Sequence, residues 1–134
     1  MLVAWSHTRE SARALRDALP LLRRAQKVDL VRFAHEDDET DRNLDAVAAH
    51  LQRHGVQAEC PVGRTRADPV AERMTPSWTP DAPVAQAVLS HASDIDADLI
   101  VMGGYGHPRL WELVLGGVTR TLLQSMTVPV LMSH

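Results

Sequence analysis

The chain has 134 residues, 45% of them hydrophobic, and a formal charge of −3. That is the size of one domain with a sizeable core, and the charge balance argues against nucleic-acid or anionic-membrane binding. A single cysteine, Cys60, rules out an internal disulfide, and no apolar stretch is long enough to span a bilayer.

The chain opens on a short apolar run, Leu2 to Trp5, too short for a helix. From Thr8 the pattern turns helical. Ala12, Leu15, Ala18, Leu19 and Leu22 recur at spacings of three and four, Thr8 suits the N-cap and Glu10 the first turn. Pro20 predicts a kink or an early end. Val28 to Ala34 reads as a second strand and His35 to Asp41 as an acidic loop. A second helix carries Leu44, Val47, Ala48 and Leu51 on one face and stops at His54-Gly55. Val56, Ala58, Cys60 and Val62 alternate as a weaker third strand.

Residues 63–83 differ in composition. Four of the eight prolines (Pro69, Pro76, Pro80, Pro83) fall there with Arg64, Arg66, Arg73 and Trp78, which predicts a long loop. Asp81 then caps a third helix whose face is Ala85, Val88, Leu89 and Ala92. Leu99 to Met102 is continuously apolar, as in a strand buried on both faces. A glycine-rich turn follows, then helical sequence over 110–126, then a last strand over Val128 to Met132. Pro129 predicts an edge position for that strand.

Strands alternating with helices predict an α/β fold: one Rossmann-like domain over 1–134, with a five-stranded parallel sheet covered on both faces. The common order for five such strands is 3-2-1-4-5. Its switch point lies between strands 1 and 4, and ligands bind there, outside the carboxyl ends. Ser6-His7-Thr8 follows strand 1, and Gly103-Gly104-Tyr105-Gly106 follows strand 4. Gly116-Gly117 reads as the N-terminus of the final helix, whose free amides suit a phosphate, with Thr119 as a hydroxyl donor.

Gly103, Gly106 and Gly116 stand in the spacing glycine, two residues, glycine, nine residues, glycine. With Asp98 to Gly103 and the Val128-Pro129-Val130-Leu131 ending, this pattern resembles the universal stress protein family over nearly the whole chain. The resemblance implies a cytoplasmic, ATP-binding stress-response module, with or without Mg2+, that forms a homodimer through the last strand. It implies a nucleotide site of Trp5, Ser6, Phe33, Met102, Gly103, Gly106, His107, Gly116, Gly117, Val118 and Thr119. Two positions depart from the pattern. Ser6 stands where family members often carry Asp, and Gly117 replaces a Ser or Thr, a hydroxyl hydrogen bond worth roughly 0.5–1.5 kcal/mol.

No catalytic residue is assigned, because the chain lacks a Gly-Lys-Ser/Thr phosphate loop, a Gly-x-Ser-x-Gly elbow and a Gly-x-Gly-x-x-Gly fingerprint. Two alternatives stay open: a dimeric interaction module that does not bind nucleotide, and a weak ATPase or phosphoanhydride hydrolase. His50 and His54, at i and i+4, read first as surface histidines, and no metal site is assigned.

Overall fold

The structure is a computed structural model, and it describes residues 1–32, 42–61, 82–104 and 122–134. The elements, in chain order, are β1 (Leu2–Trp5), α1 (Arg9–Leu22), β2 (Val28–Arg32), α2 (Arg42–Arg53), β3 (Ala58–Glu59), α3 (Ala82–Asp94), β4 (Ile100–Gly103) and β5 (Val130–Ser133). The strands form one five-stranded sheet in the order β3-β2-β1-β4-β5, with each neighbouring pair parallel. This is the expected order, and β5 lies at an edge.

β1 sits at the centre, pairing Leu2 with Asp29 on one side and with Ile100 on the other. Alternate side chains of the central strands serve opposite faces. Val3, Leu30 and Val101 pack with Ala14, Leu15, Ala18 and Leu22 of α1 and with Val47 and Leu51 of α2. Leu2, Ala4, Val31, Ile100 and Met102 pack with Ala85, Val88 and Ala92 of α3 and with Leu122. Burial on both faces explains the near-continuous apolar runs of β1 and β4.

Several boundaries differ from the sequence reading. Helix α1 passes through Pro20 and ends two residues later, at Leu22. Pro20 lies on the exposed side, so water can satisfy the carbonyl it leaves unpaired, while Leu22, 1% exposed, gains core contacts by continuing the helix. Ala12 proves exposed, and Ala14 takes its place in the core.

The third strand is much shorter than Val56 to Val62, with two rungs, Val28 to Ala58 and Asp29 to Glu59. Val56 is buried, but its N–H is spent on the Leu51 carbonyl, closing α2 over Gly55 at φ +79°. The last strand begins two residues later than expected. Val128 and Pro129 lead into it, and the Pro129 carbonyl accepts from the Ile100 N–H. Of the helix expected over 110–126, the described part is the turn at 122–125. The acidic loop at 35–41, Asp81 and nearly all of the 63–83 segment lie outside the described residues.

Thr8 caps α1, as its position predicts. Its backbone is extended, and its Oγ1 accepts the Ser11 N–H at 3.2 Å. Replacing Thr8 by Ala should cost about 1 kcal/mol. Urea denaturation should show this as a lower midpoint, largely restored by Thr8→Ser.

Candidate functional site

The strand order reverses between β1 and β4, and at such a switch point an open α/β sheet leaves a crevice outside the carboxyl ends of its strands. On the β1 side stand Trp5, Ser6, His7 and Thr8, and on the β4 side Met102, Gly103 and Gly104. A compact hydrogen-bond chain shapes the β1 side. The Ser6 N–H donates to Ser11 Oγ at 3.1 Å, and the Ser11 N–H donates to Thr8 Oγ1. The Ser6 and Thr8 hydroxyls lie 3.2 Å apart and share a hydrogen bond. The Thr8 carbonyl takes the Ala12 N–H.

The first turn of α1 therefore spends amides on its own cap. It also carries a carboxylate, Glu10, paired with Arg9 at 2.6 Å. That end of the helix is poorly suited to an anion.

Gly103 closes the crevice floor by an unexpected route. A side-chain carbon at position 103 would lie 2.5 Å from the Ser11 backbone nitrogen and 2.9 Å from the carbonyl carbon of Glu10. The start of α1 thus rests directly on the end of β4, and the missing side chain permits it. Sequence reasoning assigned Gly103 to ligand approach and gave Ser11 no role. No local periodicity marks a contact between residues so far apart in the chain. At Gly104 the added carbon would meet the Met132 side chain at 2.7 Å, which can swing aside, and the Gly104 N–H bonds the Ser133 carbonyl.

Among the described residues Trp5 Nε1 is buried without a hydrogen-bond partner, and the ring meets His7 edge-on at 6.4 Å. A buried unsatisfied donor costs about 1–3 kcal/mol. Indole N–H and paired hydroxyls suit the acceptor and hydroxyl groups of a nucleoside. The structure thus brings together Trp5, Ser6, Met102 and Gly103 of the expected site. Phe33, Gly106, His107, Gly116, Gly117, Val118 and Thr119 lie outside the described residues.

A separate shallow cleft, lined by Leu89, Ala92, Asp96, Ala97 and Val128 among others, lies at the opposite end of the sheet from this crevice. Among the described residues no group of three or more His, Cys, Asp or Glu side chains could hold a metal ion. Burial, aided by the Asp45 carboxylate, pushes the Cys60 thiol up, which disfavours the reactive thiolate at neutral pH. No helix among the described residues is long and apolar enough to cross a membrane.

The sequence model of the universal stress protein family matches residues 1–134. The chain belongs to the universal stress protein family. It is 37% identical over 46 residues to the universal stress protein Slr1230 of Synechocystis, a match spanning 34% of this chain and 16% of that protein.

Among solved structures, the fold is similar to the hypothetical protein MJ0577, whose biochemical function was assigned from its structure. That likeness has a TM-score of 0.71 and 18% identity, covering 98% of this chain and 92% of the other. It is also similar to a universal stress protein in complex with cAMP, with a TM-score of 0.60 and 16% identity, covering 99% of this chain and 94% of the other. At these identities the likeness shows the universal stress protein fold.

Two outcomes follow from the crevice geometry. Gly103→Ala should lower stability by about 1–3 kcal/mol or more with no ligand present, because the obstacle is backbone. Thermal melting of the variant, compared with Gly104→Ala, should show the larger loss at 103. The Arg9 guanidinium, through its hydrogen bond, holds the Glu10 carboxyl below its ordinary value of 4.5. A depressed carboxyl contributes stability above its ordinary value and loses it as pH falls through the lowered one. The stability gap between wild type and Glu10→Gln should therefore persist at neutral pH and shrink below about pH 4.5, as read from urea midpoints across that range.

Proposed function

We propose that this universal stress protein domain, residues 1–134 as one unit, binds a nucleotide between the carboxyl ends of β1 and β4 and acts as a stress-response module. The nucleotide is ATP or a related adenine nucleotide. The observation that carries this reading is the reversal of strand order at β1 and β4, directly beneath the Ser6–Thr8 hydroxyl pair. The cAMP complex of a similar structure supports an adenine ligand.

In this reading Trp5, Ser6 and Phe33 line the nucleoside end, with Met102 and Gly103 as floor. Gly106, His107, Gly116, Gly117, Val118 and Thr119 meet the phosphates through backbone amides and one hydroxyl. The chemistry is that of a binding module, with slow hydrolysis at most. Two copies associate through Val128 to Met132 at the open edge of β5, in a cytoplasmic protein.

One observation favours a second reading, a dimeric interaction module without nucleotide. The packing of Ser11 accounts for Gly103 by itself, with no ligand required.

Isothermal calorimetry with ATP separates the two. Micromolar binding, abolished by Gly116→Asp, is expected. No heat at millimolar ATP overturns the nucleotide reading. A dimer that persists in sedimentation with and without ATP then leaves the interaction module.

A further inference from the structure

His50 lies in the last turn of α2, and His54 is the residue directly after its end. Their ring centroids lie 4.6 Å apart with the planes inclined at 58°. Both residues are half-buried, and the two rings are in contact with each other. We propose that His50 and His54 form a two-histidine site for a divalent transition-metal ion, Cu2+ first, with Ni2+ and Zn2+ weaker.

Three features support the pair as a chelate. His54 follows the helix in a turn, its N–H bonded to the Leu51 carbonyl, so the i, i+4 spacing still sets the two rings side by side. Two imidazoles bound cis to one ion, with metal–nitrogen distances of about 2.0–2.1 Å, place their ring centroids roughly 4.5–5 Å apart. The 4.6 Å spacing falls within this range. The site also lies at the C-terminal end of α2, where the helix dipole favours a cation.

Two arginines oppose it. Arg23 is engaged, since its Nε donates to the His54 carbonyl at 2.8 Å, and Arg53 precedes His54 in the chain. Among the described residues no third ligand joins, so water completes the coordination and the order of affinities follows the general preference of nitrogen sites for copper. An ion bridging residues 50 and 54 would lock the last turn of α2 around Leu51, which is wholly buried. Binding to the folded state would raise the melting temperature.

The test is calorimetric titration of the full chain with CuCl2, NiCl2 or ZnCl2 in a non-chelating buffer at neutral pH, with melting curves alongside. His50→Gln and His54→Gln leave the metal-free protein folded, and each should weaken Cu2+ binding roughly tenfold or more, since a chelate is reduced to one arm. Each should also abolish the metal-induced rise in melting temperature. His134→Gln is the control and should bind as wild type does. The proposal is overturned if neither single variant weakens binding, if only the control does, or if wild type shows no heat up to millimolar ion.

Discussion

The start of α1 rests on the end of β4, and much of the molecule is arranged around that contact. A single added carbon at Gly103 would strike the Ser11 backbone. Because none is there, α1 lies close enough to the sheet for Ala14, Leu15, Ala18 and Leu22 to fill the space above Val3 and Val101. The same closeness puts Ser11 Oγ within reach of the Ser6 N–H and Ser11 N–H within reach of Thr8. Packing, capping and the shape of the crevice rim thus share one origin. A helix set further out would lose apolar burial along its length and free the turn that carries Ser6.

The parts of this architecture legible in the sequence were those with a local signature. Alternating strand and helix patterns, the Thr8 cap and the Gly55 stop each follow from neighbouring residues, and the strand order follows from general topology. What escaped depends on distant partners. Ala12 and Ala14 are both small and apolar, and which one faces the core is decided by how α1 meets β4. The third strand is expected from Val56 but begins at Ala58, because the end of α2 claims the Val56 N–H. Pro20 obeys its local rule only where the lost bond matters, and on the solvent side it does not. Trp5, Ser6, Met102 and Gly103 lie near one another at the carboxyl ends of β1 and β4, while the contact that explains Gly103 was invisible without the fold.

With both faces of the sheet covered by helices, the surface left for recognition is the ends of the strands and the edges. The β3 edge is cut to two rungs, which limits it as a template for another strand. The β5 edge is longer and held from behind by α1. Arg13 donates to the His134 carbonyl, and Ser133 Oγ bonds Asp17 at 3.4 Å. The helix that shapes the crevice at its first turn therefore also braces the edge strand.

Asp29 gives β2 a property its apolar neighbours cannot. It is 4% exposed, on the α3 face, with Lys27 Nζ 3.5 Å from one carboxylate oxygen and His91 Nε2 3.8 Å from the other. Lys27 also reaches Glu59 across the edge, at 3.2 Å. If β2 slid by one residue against β1, Asp29 and Lys27 would turn together toward the side of Val3, Leu15 and Leu51, and Asp29 would leave His91. Carrying a charged pair onto an apolar face costs free energy unless its hydrogen bonds are satisfied there. A strand of Val, Leu and Val alone would tolerate that mistake far more cheaply. The acidic residue therefore penalises a slipped register that hydrophobicity alone would accept.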